Sequence, residues 1–334
     1  MTRLRWGLLG TARINRALIP VLQSADRHSL EMVASRTIDR ARGYAAEWGI
    51  PRPIGSYEAL LADPDVDAIY ISLPNSLHVE WTIRALESGK HVLCEKPLAL
   101  TVGDVDRVAE AVKRTGKIAV EAFMYRSHPL TAAAAAVVRE GRIGAMRLVR
   151  GAFTFPLTRD PDIRMDAALG GGSLWDVGCY PVSYSCFLIG DAPVSVVGWQ
   201  EVSSSGIDLA FTGMMRFDNG VVALFDSGFR AAFRAEMEIV GTEGTLRVDR
   251  AFKGGPDSRL TLTRGDETVA VAFEPDASYI GEIDDFAAAA LDGRPQRVSL
   301  VESRRTIEVI QALYQSAANY GQTLAITRTD LTPR

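Results

Sequence analysis

The sequence predicts two domains of different class: an α/β domain with a parallel sheet, then an α+β domain on a large, mainly antiparallel open sheet. Three observations predict it. Through about residue 120, short apolar runs alternate with amphipathic stretches, the pattern of parallel strands joined by crossover helices. Gly10, in WGLLGTARIN, stands between a first strand and a first helix, the setting a dinucleotide fingerprint requires. Beyond Met146 come long alternating runs such as MRLVRGAFTF and RAEMEIVG, which is how half-buried antiparallel strands read. The division falls after residue 125, giving a parallel-sheet domain with a candidate dinucleotide turn over 1–125 and a domain built on one broad sheet over 126–334.

Each element has a local reason. Strands are expected over Arg5 to Leu9, Leu30 to Ser35, Ala68 to Leu73, His91 to Cys94 and Lys117 to Ala122. Helical periodicity fills the gaps at Asn15 to Gln23, Asp39 to Trp48, Ser56 to Ala62, Leu77 to Ser88 and Val102 to Arg114. Gly89 and Gly116 stand where helix C-caps belong, each directly before a strand. A further helix is expected near Pro129 to Glu140. The second domain adds DLAFTGMMRF, VVALFDSGF, TLRVDR and RLTLTR, with turn signals at Asp218-Asn219-Gly220 and Gly241-Thr242-Glu243-Gly244. A helical segment, Ser173 to Ile189, interrupts the sheet, and helices near Tyr279 to Leu291 and Leu300 to Tyr320 close the chain.

Composition bounds the function. With 334 residues and 47 % apolar content the chain is large enough for two cores. A net charge of −4, from 37 basic and 41 acidic residues spread evenly, offers no footprint for a phosphate backbone, so nucleic acid is not expected. Three cysteines and four histidines, in neither CxxC nor HxxxH spacing, fit no disulfide framework and no zinc site. No metal is expected, and a reducing cytoplasm is the simplest home. The opening stretch is read as a strand and turn rather than a signal peptide, because Arg13 and Arg16 interrupt it. No apolar run approaches the roughly 18 to 20 residues that cross a bilayer.

The nucleotide site starts at Gly10, which can take a tight turn, with Thr11, Ala12, Arg13 and Ile14 leading into a helix N-terminus whose amides can face a pyrophosphate. Ala12 and Asn15 replace the second and third glycines of the fingerprint, so a purely structural turn is the competing reading. At the end of the second strand an NAD site places an acid against the ribose. Here stand Ser35, Arg36 and Thr37, a hydroxyl and a guanidinium suited to a 2′-phosphate, which favours NADP over NAD. A solvated loop arginine is the alternative. Leu73, Pro74 and Asn75 end the fourth strand, and His78 lies one turn into the next helix, where a structural role competes with a place beside the nicotinamide ribose.

The chemical residues come from two distant motifs. Glu95, Lys96 and Pro97 put a lysine at the carboxyl end of an apolar strand, where α/β enzymes keep ligands. In GGGSLWDVGCY, Asp176 and Tyr180 lie at i and i+4, on one face of a helix. Tyr180 reads equally as a core aromatic or as a proton-transfer group. The second reading needs a lysine within about 4 to 6 Å, because a tyrosine titrates ordinarily near 10.

With GLLGTARI, the EKP tripeptide, EAFMYRSHP and GGGSLWDVGCYPV in place, the chain resembles the Gfo/Idh/MocA oxidoreductases over nearly its whole length. EAFMYR and DVGCYPV are most similar to the branch of dimeric dihydrodiol dehydrogenases and NADP-dependent D-xylose 1-dehydrogenases. The resemblance implies a Rossmann NAD(P)-binding domain over 1–125, a substrate-binding and dimerisation domain over 126–334 whose open sheet forms a homodimer or homotetramer, a cis bond before Pro97, and Lys96 and Tyr180 as the catalytic lysine and tyrosine. It also implies Asp176 as their accompanying acid, Glu95 as a support for cofactor or lysine, and Arg126 and Arg164 as substrate-binding candidates. The expected activity is hydride transfer between NADP and a xylose-like cyclic sugar, with trans-dihydrodiol oxidation or sugar-carbonyl reduction as the runner-up. A non-catalytic NADP(H) sensor and a structural interaction module are the readings from other classes.

Overall fold

The computed structural model describes residues 3–159, 161–274 and 279–326. They form two compact units: Met1–Phe123 with Tyr279–Ser303, and Met124–Ser278 with Arg304–Arg334.

In the first unit six parallel strands lie in the order β3-β2-β1-β4-β5-β6. They are β1 (Leu4–Leu9), β2 (His28–Ala34), β3 (Arg52–Ile54), β4 (Ala68–Ile71), β5 (His91–Glu95) and β6 (Ala119–Ala122), linked by α1 (Asn15–Ser24), α2 (Ile38–Trp48), α3 (Tyr57–Ala62), α4 (His78–Glu87) and α5 (Val102–Thr115). Every residue of β4 is buried, as expected when helices cover both faces of a parallel sheet. The Thr101 hydroxyl starts α5 by accepting the Asp104 N–H at 3.2 Å, and Gly116, left-handed at φ 68°, ends it. Strand order reverses between β1 and β4, so the crevice beyond their carboxyl ends is where such a sheet holds a ligand. Edge strand β3 lies outside the expected set because three residues, one of them Pro53, are too few to show a period.

One helix from the far end of the chain belongs to this unit. In α8 (Ile280–Asp292), Phe286 packs on Trp6 with ring centroids 5.0 Å apart, and Asp284 lies 3.0 Å from His28 Nε2. A division at residue 125 does not anticipate this return, since the partners stand 256 positions apart.

The second unit holds nine strands in the order β14-β13-β12-β11-β7-β10-β9-β8-β15. They are β7 (Met146–Thr154), β8 (Ser195–Val202), β9 (Asp208–Arg216), β10 (Val222–Gly228), β11 (Arg234–Gly241), β12 (Thr245–Asp249), β13 (Arg259–Arg264), β14 (Glu267–Ala270) and β15 (Leu324–Ala325). All pairings are antiparallel except β7 with β10. The helices are α6 (Pro129–Arg139), which packs on β12 and β13, α7 (Cys179–Ile189), which packs on β7 and β10, and the part of α9 (Leu300–Ala318) from Arg304 onward. Along β9 buried and exposed residues alternate, so one face builds the core while the other carries Met214 and, from β8, Trp199. β8, β14 and β15 add to the expected strands; Gly198 breaks the apolar run of β8, and β14 is exposed along its length. Among the described residues no helix is long and apolar enough to cross a membrane, and no cluster of metal-ligating side chains occurs.

Candidate active site

At the end of β1, Gly10 adopts φ 112°, and its N–H donates to Ala34 O at 3.1 Å. A Cβ there would stand 3.1 Å from Leu73 Cδ2, so the turn requires glycine for both dihedral and space. Asn15, in place of the fingerprint's third glycine, is fully buried and donates from Nδ2 to Gly10 O at 2.9 Å. The substitution therefore closes the turn. Tyr44 donates to Ala12 O at 3.2 Å, while Arg13 is exposed and Ile14 opens α1.

Beyond β2, Ser35 is buried with its N–H on Ile54 O at 3.1 Å, and Arg36 and Thr37 are exposed. A second guanidinium joins them: Arg40 donates from Nε to Thr11 Oγ1 at 2.8 Å. Arg36 and Arg40 both bear on the Tyr57 phenol; they favour its ionised form, though burial is the larger effect and holds its pKa above the ordinary value. The nearby Asp39 pairs instead with Arg42, at 3.8 Å. Sequence reading passed over Arg40 and Tyr57, and the available signal was a second arginine one helical turn after Arg36.

The ends of β4 and β5 carry the remaining residues. Pro74 leads into a 3₁₀ turn at Asn75–Leu77, and the fully buried His78 ring reaches Leu73 O through Nε2 and Pro97 O through Nδ1, each at 2.8 Å. The Lys96–Pro97 bond is cis, as the resemblance implied. Glu95 accepts from the buried Tyr70 hydroxyl, and Glu121 accepts the Leu98 N–H at 2.9 Å.

Glu282, on α8, is 6 % exposed and shares the electrostatic surroundings of Glu95. Burial first, then the field of Glu95, pushes its carboxyl well above the usual range. Such a group costs stability as pH climbs above about 4.5, because the unfolded chain releases the proton before the folded one does. Glu282→Gln is therefore expected to match the wild type near pH 4 and to gain on it as pH rises, by up to about 1.4 kcal/mol per pH unit. Melting curves from pH 4 to 8 check this; parallel pH dependence of the two proteins would refute it.

In the second unit the expected single α-helix carrying Asp176 and Tyr180 is different in kind. Leu174–Gly178 is a π-helical turn, and α7 begins only at Cys179. The wider turn places Asp176 where its Oδ2 accepts from Arg164 Nε at 2.6 Å. Coulomb attraction to Asp176 is the main reason the Arg164 guanidinium is held above its ordinary pKa. Arg164 also lies 3.3 Å from Asp162, and Arg126 stacks on the Phe187 ring at 3.9 Å. Tyr180, half-buried, sits among Phe153, Phe252 and Tyr125 at centroid distances of 5.3, 5.5 and 6.0 Å.

The glycine run before this turn approaches protein. A Cβ on Gly171 would lie 2.4 Å from Arg164 O, and one on Gly172, at φ 121°, would lie 2.3 Å from Asp208 Oδ1. Asp208 accepts from Ser173 Oγ at 2.6 Å, from the Leu174 N–H at 2.8 Å and from Tyr314 Oη at 2.6 Å. It anchors the start of the segment that bears Asp176 and Tyr180. Nothing in the local sequence points to it, because its partners come from segments up to 106 positions away.

A doubly wound parallel sheet with a glycine turn at its switch point, joined to an open-sheet unit, defines the class: a Rossmann-fold NAD(P)-binding oxidoreductase. Residues 4–123 match the oxidoreductase family with an NAD-binding Rossmann fold, and residues 131–247 match the GFO/IDH/MocA C-terminal domain. The chain belongs to the Gfo/Idh/MocA oxidoreductases. It is 38 % identical to a D-xylose 1-dehydrogenase (NADP(+)) from Haloferax volcanii over 93 % of this chain and 97 % of the other. Among solved structures it is similar to aldose-aldose oxidoreductase from Caulobacter crescentus complexed with glycerol, with a TM-score of 0.90, 26 % identity and coverage of 97 % and 100 %. A 3-ketoreductase from Actinomadura kijaniata in complex with NADP and TDP-benzene gives a TM-score of 0.89 and 29 % identity, with coverage of 94 % and 98 %.

Proposed function

We propose that the protein is an NADP-dependent dehydrogenase of cyclic aldoses, with a xylose-like sugar oxidised to its lactone. What supports the reading is the presence of Lys96 before the cis bond to Pro97 and of Tyr180 four positions after Asp176 in a chain 38 % identical to a D-xylose 1-dehydrogenase (NADP(+)). Reduction of a sugar carbonyl is the second reading, favoured by the likeness to the Actinomadura 3-ketoreductase.

The cofactor cradle fits a dinucleotide on two counts. Gly10, at φ 112°, holds a turn that L side chains rarely adopt and so leaves its backbone bare, and Ser72 Oγ, buried beside it, has no hydrogen-bond partner among the described residues. Gly10 and the Thr11 to Ile14 amides would take the pyrophosphate. Ser35, Arg36, Thr37 and Arg40 would take the 2′-phosphate, and Leu73, Pro74, Asn75, Glu95 and Pro97 would line the nicotinamide end. When bound, the nicotinamide supplies the redox chemistry by taking or giving a hydride. Tyr180 removes the proton from the substrate hydroxyl in oxidation and returns it in reduction. Lys96 stabilises the phenolate and orients the substrate oxygen, Asp176 and Arg164 position the sugar as a pair, and Arg126 binds a further hydroxyl.

The exposed face of the nine-stranded sheet, with Trp199 and Met214, is assigned to a homodimer or homotetramer contact, and the three free, buried thiols suit a reducing cytoplasm. Absorbance at the NADPH band with a panel of aldoses, cyclitols and diols, each with NADP⁺ and NAD⁺, tests the function. Turnover of pentoses with NADP⁺ is expected. A double Arg36→Ala, Arg40→Ala variant should weaken NADP⁺ at least about tenfold and leave NAD⁺ within about threefold, since two charge-assisted contacts are removed. Equal losses for both cofactors would overturn the 2′-phosphate assignment.

A further inference from the structure

His78 opens α4 with its ring fully buried, and both ring nitrogens face main-chain carbonyls. Pro97 O lies 2.8 Å from Nδ1, and Leu73 O lies 2.8 Å from Nε2. A carbonyl oxygen can only accept. A neutral imidazole has one N–H, so it satisfies one of these oxygens and turns a lone pair toward the other at the same short distance. An imidazolium donates to both.

We propose that His78 is a buried imidazolium that clamps the turn after β4 to the turn after β5, and is thereby a positioning residue for Lys96. The clamp joins the carbonyls of Leu73 and Pro97, and Pro97 is covalently next to Lys96, so freedom in one turn is freedom for the lysine. Burial and the Lys96 charge both act toward the neutral ring, more strongly than the two carbonyls act against them. The contact geometry is given the greater weight, because no neutral tautomer makes hydrogen bonds of both 2.8 Å contacts. The other titratable groups at these strand ends are Glu95, Glu121, the buried Tyr70 phenol on Glu95 and the buried Cys94 thiol. Burial pushes the Glu121 carboxyl above its ordinary range, with its hydrogen bonds and the Lys96 charge working against that push, so the clamp rests on the two carbonyl contacts and not on a carboxylate counter-charge.

The protein contains four histidines, so ring-nitrogen NMR of the full chain labelled with ¹⁵N-histidine can resolve each, with His78→Gln supplying the assignment. Both His78 nitrogens should carry protons, with shifts constant from pH 6 to 8. One protonated and one bare nitrogen would overturn the proposal.

The kinetic arm rests on Lys96 being catalytic, whereas the NMR arm does not, so the two can fail separately. Glutamine donates from one end only and keeps one contact. His78→Gln should lower kcat by about tenfold or more, as misplacement of a reacting group does, with the Kd for NADPH changed less than about threefold. An unchanged kcat in folded variant would show that the ring does not position Lys96. If the variant does not fold, the wild-type spectrum still decides the protonation state, the His78 ring being assigned by its contacts to Pro97 and Leu73.

Discussion

Exchanging Tyr180 for phenylalanine is expected to lower turnover by about 10² to 10⁴-fold, the usual worth of a positioned proton-transfer group, while NADPH still binds. The ring packs against Phe153 and Phe252, so phenylalanine keeps the aromatic packing and removes only the hydroxyl. Lys96→Met removes the ammonium while keeping a chain of similar length, and the same range applies. If the two residues act together as proposed, the substitutions should be far from additive, since each would remove the same proton-transfer step. Stopped-flow turnover and NADPH fluorescence on the single and double variants separate chemistry from binding. Full activity in either single variant, with cofactor bound, would remove that residue from the mechanism.

Asp208→Ala carries the largest expected effect on stability. The carboxylate serves Ser173 Oγ, the Leu174 N–H and Tyr314 Oη; its removal strands the Leu174 N–H and Tyr314 Oη and leaves Ser173 Oγ only Ser227 Oγ at 3.1 Å. At about 1–3 kcal/mol for each stranded group, less the relief of not burying a charge, the net loss is about 3 kcal/mol or more. Burial pushes the Asp208 carboxyl above its ordinary range, and the donors work against that push, so the relief is partial. With an unfolding entropy of roughly 2.1 cal/mol/K per residue, the melting temperature of this 334-residue chain should fall by about 4 °C or more. Asp208→Asn, which retains one acceptor oxygen while the hydroxyls rotate to suit it, should lose less. Because Asp208 anchors the π-helical turn, kcat per folded molecule should fall with stability in the alanine variant. Calorimetry paired with active-site titration would detect this, and an unshifted melting temperature would contradict it.

The strand and helix alternation of the first unit is legible in the sequence, as are the Gly10 turn, the C-capping role of Gly116 and the broad alternating sheet of the second unit. All rest on neighbours within a turn or a pleat, and dihedral preference and burial period act at that range. Lys96, Asp176 and Tyr180 come from motifs in the sequence, and their roles are the ones proposed above. Arg40 and Tyr57 escaped because an exposed arginine and a half-buried tyrosine are ordinary in sequence, and only the folded turn brings them to Arg36.

By itself the sequence determined the two fold classes, the family and the residue types available for chemistry. The tertiary structure decided how those residues are committed. It returned α8 to the first unit, buried Glu282 within the field of Glu95, tied Asp176 to Arg164, and engaged both nitrogens of His78. The physical reason is range. A helix or strand is specified by residues a few positions apart, whereas these carboxyl, guanidinium and imidazole contacts join segments from 5 to 256 positions apart. Their energies depend on burial and partner geometry, which no local pattern encodes.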